Sequence, residues 1–163
     1  MSKSLAHRSF LFVCTGNICR SPTAHGVMDY KLTQWGNREK FILDSAGVDS
    51  HHVGQAPDPR TQKEALMHGI DLAGLRARNV RTSDFTEFDV ILAMDMSHMR
   101  ALQKMKPQNA TALINLYLDY AGIAHTNEVP DPYYGQTEDF QHVFALINEA
   151  TSAIIPRLNA TTP

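Results

Sequence analysis

The stretch VCTGNICRSP, Val13 to Pro22, begins with the last residue of the apolar run FLFV at residues 10–13. A short apolar run of this kind predicts a buried strand. Ser21 followed by Pro22 predicts the start of a helix, with Ser21 as its N-cap and Pro22 in the first turn. The residues between strand and helix would then lie at the carboxyl end of a strand, which is where open parallel sheets bind their ligands.

The rest of the chain repeats this alternation of strands and helices. Further apolar runs occupy residues 41–48, 88–94 and 111–118, and helical patterns lie between and after them. The helical patterns have recognisable boundary residues, namely Gly36 after the first helix, Ser97 as an N-cap, Thr137 at the start of the last helix, and Pro156 near its end. The alternation predicts β-α-β units and an α/β fold built on a parallel sheet.

The composition excludes several classes of protein. The chain has 163 residues, 43% of them hydrophobic and 20% charged, which predicts one domain over residues 1–163. No apolar stretch approaches the ~20 residues that cross a membrane, and a net charge of -2 disfavours nucleic-acid binding. Two cysteines and no export signal predict a cytoplasmic protein rather than a disulfide framework.

The loop after the first strand has the residues of an anion site. Gly16 and Asn17 tolerate the positive φ angles of a tight turn whose N–H groups point inward. Arg20 adds a planar fork that can hold two oxygens of a phosphate. A thiol among such dipoles is favoured as a thiolate nucleophile, so Cys14 is the candidate nucleophile, and the Ser21 hydroxyl can stabilise it.

FVCTGNICRSPTA, residues 12–24, resembles the phosphate-binding loop of the low-molecular-weight protein tyrosine phosphatases. Other segments resemble that family in the same order: DSAGV at 44–48, HVGQAPDPR at 52–60, HGIDL at 68–72, FDVILAMD at 88–95 and DPYYG at 131–135. The resemblance implies a four-stranded parallel sheet flanked by helices. It also implies hydrolysis of phosphotyrosine in protein substrates through a cysteinyl-phosphate intermediate.

The segment VPDPYYG, residues 129–135, supplies the acid that this chemistry needs. Taken alone, Asp-Pro is an ordinary turn. The resemblance implies that Asp131 is the general acid and then the general base. Tyr133 and Tyr134 would line a deep cleft, with packing against the last helix as the alternative.

The residues expected to bind the substrate or other oxyanions are Thr15, Gly16, Asn17, Ile18, Cys19, Ser21, His51, Tyr133 and Tyr134. No metal or other cofactor is expected, because Arg20 and the loop dipoles neutralise the transferred group. His51, His52 and His68 lack companions at ligand spacing. The resemblance also implies a reversible disulfide between Cys14 and Cys19, with a packing role as the alternative for Cys19.

The sequence departs from the family at several positions. His51 stands where Trp or Tyr is common, and Leu75 stands where many members have a histidine that supports the loop. We therefore expect Ser45 to complete the support around Asn17. Thr15 replaces a frequent leucine and alters the rim of the pocket.

Ile18 is the position that separates two branches of the fold. The branch directed at phosphoarginine carries Thr there and lacks the tyrosine pair, so Ile18 favours phosphotyrosine. Two other functions stay open. One is arsenate reduction, which needs further cysteines downstream, and the other is a phosphoprotein-binding module that uses RARNVR, residues 76–81, as a basic strip. The oligomeric state is not predicted.

Overall fold

A four-stranded sheet forms the centre of the computed structural model, which describes residues 6–159. The strand order is β2-β1-β3-β4, and all neighbouring strands are parallel. The strands are β1 (Ser9–Cys14), β2 (Ile42–Gly47), β3 (Val90–Ala93) and β4 (Leu113–Leu116). The predicted α/β fold is confirmed, while the ends of the expected domain, residues 1–5 and 160–163, lie outside the described residues.

Helices cover both faces of the sheet. In the described residues they are α1 (Arg20–Trp35), α2 (Pro59–Met67), α3 (Asp84–Glu87), α4 (Met96–Met105), α5 (Tyr117–Ala121) and α6 (Thr137–Ile154). Short 3₁₀ turns occupy Arg38–Lys40 and Ile155–Arg157. The helix boundaries at Gly36, which has φ 80°, and at Thr137 agree with the sequence prediction.

The strand β1 is buried on both faces, which explains its continuous apolar run. Phe10 and Phe12 pack into the cluster formed with α1, α5 and α6. Leu11 and Val13 pack into the opposite cluster, with residues of α3 and α4. Burial of each large side chain contributes roughly 1.5–3 kcal/mol. The carboxyl end of β1 is therefore held firmly, and Cys14 is its last residue.

Two of the predicted N-caps are wrong. The helix α1 begins at Arg20, one residue before Ser21, and the Ser21 hydroxyl lies 3.0 Å from Cys14 Sγ instead of capping the helix. At α4 the cap is Asp95, whose carboxylate accepts the N–H groups of Ser97 and His98. In α1 the serine lies inside the first turn, beside Cys14, and in α4 the helix begins at Met96, before Ser97, so that Asp95 forms the capping box.

The fourth apolar run is only partly a strand. Ala93 is the last residue of β3 and pairs with Leu116, so the ladder ends there. The chain then turns into α5, and Tyr117 places its buried hydroxyl 2.5 Å from Thr151 Oγ1 on α6. The prediction of a strand through residue 118 is corrected accordingly, because the strand had no further partner to pair with.

Candidate active site

The loop at residues 14–20 turns its carbonyl groups away from the pocket. The carbonyl of Thr15 accepts the N–H of Asp49, and that of Ile18 accepts the N–H of Asp58, both at 2.9 Å. Asn17 has a φ of 57°, the left-handed conformation expected of this turn. The N–H groups of residues 15–19 donate to no group in the described part of the chain. These donors remain available for an anion.

The loop rests on the end of β2. A Cβ atom added to Gly47 would lie 2.7 Å from the carbonyl oxygen of Thr15, so only glycine permits this approach. The isolated bridge between Gly47 and Asn79 adds a third segment to the same packing. The loop is thus shaped by contacts from three separate parts of the chain.

Asn17 and Ser21 support the loop from behind. The Asn17 amide donates to Ser21 Oγ at 2.8 Å, and its oxygen accepts the N–H of Arg78 at 3.1 Å. The prediction that Ser45 completes this support is wrong, because the Ser45 hydroxyl lies 3.4 Å from His25 Nδ1 instead. Asn17 and Ser21 were also expected to touch the substrate; both are buried, at 2% and 0% exposure, so their side chains do not line the pocket, and Asn17 offers only its backbone N–H.

The Cys14 sulfur lies at the base of the loop. Its residue is 2% exposed, and Sγ is 3.0 Å from Ser21 Oγ. Because Ser21 Oγ already accepts a hydrogen bond from Asn17, its own hydrogen can point at the sulfur rather than at the carbonyl of Ala46, 3.5 Å away. A hydroxyl in this position can donate a hydrogen bond to the sulfur.

Arg20 is buried and aimed by its partners. Its Nη1 donates to Asp95 Oδ2 at 2.7 Å and to the carbonyl of Val129 at 3.0 Å. Its Nη2 lies 3.3 Å from Thr15 Oγ1, and its Nε has no hydrogen-bond partner within residues 6–159. The edge formed by Nε and Nη2 is therefore free to hold two oxygens of a phosphate.

Asp95 and His98 were not identified from the sequence as site residues. Partial burial opposes ionisation of Asp95, but hydrogen bonds from Ser97 and Arg20 lower its pKa to about 2. Burial, together with the charge of Arg20, lowers the pKa of His98 to about 4. The pair thus places a fixed carboxylate and a neutral imidazole beside the guanidinium. Only the position of Asp95, just beyond the end of β3, could have identified it from the sequence as a site residue.

We expect His98 to make the protein less stable in mild acid. Its pKa of about 4 in the folded protein lies below the ordinary value of 6.5, so the unfolded chain binds the proton first. The stability that neutral His98 provides is complete above about pH 6.5 and is lost as the pH falls toward 4. By linkage, His98→Asn should remove about 2 kcal/mol of the decrease in unfolding free energy between pH 7 and pH 5.

Denaturant unfolding at the two pH values measures this difference. The matched control is His142→Asn, since His142 is exposed on α6. The control should keep the pH dependence of the parent. A His98→Asn variant that keeps it as well would contradict the assignment of His98 as a buried neutral ring.

Asp131 lies in the loop after β4 and α5. Its side chain is 47% exposed, and Oδ2 is 3.7 Å from Arg20 Nη2. The N–H of Tyr133 donates to Asp131 Oδ1 at 3.1 Å, and the N–H of Val129 donates to the carbonyl of Met94 at 2.8 Å. These bonds tie the acid-bearing loop to the end of β3 and place the carboxylate at the same pocket as Cys14.

Aromatic and polar side chains form the rim. Tyr133 packs with Ile18, Cys19 and Phe140, so it both lines the pocket and contacts the last helix. The Arg60 guanidinium stacks 5.5 Å from the Tyr133 ring centre. Tyr134 is 92% exposed, and its ring meets that of Tyr133 edge to face at 4.9 Å.

His51 also lies on the rim of the pocket. Its side chain is 82% exposed, and its Nδ1 contacts the Asp49 carboxylate. Hydrogen bonds from the backbone N–H and the ring of His51 lower the pKa of Asp49. The rim here is polar.

The pocket has a volume of about 510 Å³. Its lining includes most of the residues predicted from the sequence: Cys14, Thr15, Gly16, Ile18, Cys19, Arg20, His51, Asp131, Tyr133 and Tyr134. Asp49, His52 and Gln55 complete it and were not predicted.

Among residues 6–159 there is no group of three or more His, Cys, Asp or Glu side chains arranged to hold a metal ion. The same residues contain no helix with the length and apolarity of a membrane span.

The site combines the Cys14 thiol, at the end of a parallel strand, with the N–H groups of residues 15–19 and the buried Arg20. This combination is that of a phosphate-monoester hydrolase of α/β fold. The family model for low molecular weight phosphotyrosine protein phosphatase matches residues 9–162. The chain therefore belongs to the low molecular weight phosphotyrosine protein phosphatase family.

Individual relatives agree with this assignment. The low molecular weight phosphotyrosine protein phosphatase of Schizosaccharomyces pombe is 44% identical over 131 residues, 80% of this chain and 83% of the relative. A protein tyrosine phosphatase from Entamoeba histolytica, crystallised with Hepes in its active site, superposes with a TM-score of 0.85 at 38% identity, over 91% of this chain and 95% of that one. A Drosophila arginine phosphatase superposes with a TM-score of 0.84 at 30% identity, over 90% and 95% of the two chains.

Proposed function

We propose that this chain hydrolyses phosphotyrosine in proteins, and small aryl phosphates, through a phosphoryl group carried on Cys14. The observation that carries the proposal is the ring of unpartnered N–H groups at residues 15–19 between the sulfur and the free edge of Arg20. Such a ring binds a tetrahedral dianion. The Hepes in the Entamoeba relative, a sulfonate, supports an oxyanion site of this kind.

The first step transfers the phosphoryl group to sulfur. The loop amides and Arg20 hold its oxygens while the Cys14 thiolate attacks phosphorus and the bond to the phenolic oxygen breaks. Asp131, in its protonated form, gives its proton to that leaving oxygen. Arg20, whose Nη1 is fixed by Asp95 and Val129, stabilises the charge on the transferred group.

The second step returns the enzyme to its starting state. Asp131, now ionised, removes a proton from a water molecule, which attacks phosphorus and breaks the S–P bond. Phosphate leaves, and the electron pair of the broken bond returns to Cys14 as a thiolate. The Ser21 hydroxyl, 3.0 Å away, stabilises that thiolate as the leaving group.

The rim favours an aromatic phosphate over phosphoarginine. Ile18 is 7% exposed and packs with Tyr133, which makes the wall of the cleft apolar. A phenyl ring gains from packing against such a wall, whereas a guanidinium loses hydration against it.

A substrate panel tests the proposed function. We expect turnover of p-nitrophenyl phosphate and phosphotyrosine peptides in the presence of EDTA, with much slower turnover of phosphoserine peptides and phosphoarginine. Arsenate with a thiol donor should not be reduced. A preference for phosphoarginine, or a requirement for metal, would refute the proposal.

The two alternative functions have less support. Arsenate reduction needs relay cysteines, and the sequence has two cysteines in all, with none after Cys19. The basic strip of a binding module would centre on Arg78, but its guanidinium is engaged by Asp44 and by the buried Asp84. A module that only binds phosphoproteins would also not need a proton donor at Asp131.

We further propose a reversible disulfide between Cys14 and Cys19. Both cysteines are free and buried, and both line the pocket. Peroxide would oxidise Cys14 to a sulfenic acid, and the Cys19 sulfur would displace water from it. Burial raises the pKa of Cys19 to about 12, although a hydrogen bond with Thr61 opposes the shift. We therefore expect disulfide formation to become faster as the pH rises through the neutral and mildly alkaline range.

Mass mapping after peroxide treatment measures this reaction. The parent should yield the disulfide and regain activity with a thiol reductant, whereas Cys19→Ser should progress to sulfinic acid at Cys14 and stay inactive. Finding only sulfinic acid in the parent would rule out the disulfide. We also propose that the protein is cytoplasmic, because two cysteines do not make a disulfide framework, and that residues 1–163 act as one domain.

A further inference from the structure

Thr15 makes a contact with His98 that the reaction described above does not use. It follows the nucleophile, is exposed and lines the pocket. His98, on α4, is 1% exposed, and its Nε2 lies 2.9 Å from Thr15 Oγ1. The buried His98 ring is therefore connected to the pocket by its hydrogen bond with the Thr15 hydroxyl.

The direction of this hydrogen bond follows from the other ring nitrogen. The backbone N–H of Asp95 points at His98 Nδ1 at 3.1 Å, so Nδ1 is the acceptor and Nε2 carries the hydrogen. A doubly protonated ring would also carry a hydrogen on Nε2. In both states His98 donates to Thr15 Oγ1.

Arg20 supplies a second donor to the same oxygen. Its Nη2 lies 3.3 Å from Thr15 Oγ1. A hydroxyl oxygen has two acceptor positions, and here His98 and Arg20 occupy both. Both donors are buried, at 1% and 2% exposure, so the third direction, that of the hydroxyl hydrogen, leads away from them to the open side of Thr15. That side is the pocket.

We propose that Thr15 is a further catalytic residue whose hydroxyl donates a hydrogen bond to the phosphoryl oxygen held by Arg20 Nη2, and that His98 is the positioning residue that orients it. The proposal rests on the proposed function of this pocket. Since Thr15 Oγ1 and Arg20 Nη2 are neighbours, one oxygen can accept from both. A leucine at this position would offer no donor.

Equilibrium binding of inorganic phosphate tests the proposal without relying on turnover. Thr15→Val keeps the shape of the side chain and removes its hydroxyl, and a hydrogen bond to a charged group corresponds to about 10-fold or more in affinity. We expect calorimetry to show phosphate binding weakened about 10-fold in Thr15→Val and close to parental in Thr15→Ser. The matched control is Thr111→Val, an exposed threonine before β4 at the opposite edge of the sheet, which should bind as the parent does.

The role of His98 is tested by a double-mutant cycle. His98→Asn should weaken phosphate binding when Thr15 is present and have little additional effect in the Thr15→Val background. A purely structural role of His98 would weaken both backgrounds equally, and that result would overturn the positioning role.

Parental phosphate affinity in Thr15→Val would overturn the role of Thr15 itself. If the pH profile of turnover is altered in the same variant, the hydroxyl donates to Asp131 instead. If the parent binds phosphate but fails to turn over p-nitrophenyl phosphate, the proposed function fails while the binding test of Thr15 remains valid.

Discussion

Cys14→Ser is expected to lower kcat for p-nitrophenyl phosphate by at least about 10⁴-fold. Serine fits the buried site at the end of β1, so the fold should persist. Its hydroxyl, however, stays protonated near neutral pH, and an unionised hydroxyl is a weak nucleophile. Steady-state kinetics measure the loss of activity, and thermal unfolding shows whether the fold persists.

Phosphate binding distinguishes loss of the nucleophile from loss of the site. The loop amides and Arg20 are unchanged in Cys14→Ser, so the variant should still bind inorganic phosphate and keep a melting temperature close to that of the parent. Substantial remaining activity in a pure preparation would exclude Cys14 as the nucleophile.

Asp131→Asn is expected to lower kcat for phosphotyrosine by roughly 10² to 10⁴-fold. The amide retains the size of the side chain but has no proton to give to the phenolic oxygen. The loss in kcat/KM, which reports the first step alone, should therefore be smaller for aryl phosphates with acidic phenols, whose leaving groups depart without protonation. A plot of log kcat/KM against the pKa of the leaving phenol should be steeper for the variant than for the parent.

Asp119→Asn provides the matched control for this series, because Asp119 is exposed on α5. It should follow the parent across all leaving groups. If Asp131→Asn loses the same factor in kcat/KM with every leaving group, Asp131 is not the general acid.

Sequence alone was sufficient for the sheet and for the position of the candidate nucleophile at its edge. The run at residues 10–14 is apolar throughout because β1 is the central strand covered on both faces, and few other structures produce that pattern. The residues that mark the loop lie close together in the sequence, namely Gly16, the left-handed Asn17 and Arg20 at the start of α1, although the loop also packs on Gly47. Short-range patterns of this kind can be recognised without knowledge of the tertiary structure.

The supporting residues were missed because their contacts span the chain. Asp95 is 75 residues from Arg20, and His98 is 83 residues from Thr15, so no local pattern connects them. The two misplaced N-caps have a local cause, the residue at which each helix begins. Because α1 begins at Arg20, Ser21 lies inside the first turn with its hydroxyl beside Cys14, and because α4 begins at Met96, Asp95 is its cap.

The most direct test of the account is to trap the covalent intermediate. Asp131→Asn also slows the attack of water, so acid quenching during turnover of p-nitrophenyl phosphate should capture the phosphorylated enzyme. Peptide mapping should then place one added phosphoryl group on Cys14, and Cys14→Ser should carry none. Turnover with no adduct at Cys14, or an adduct on another residue, would contradict the mechanism.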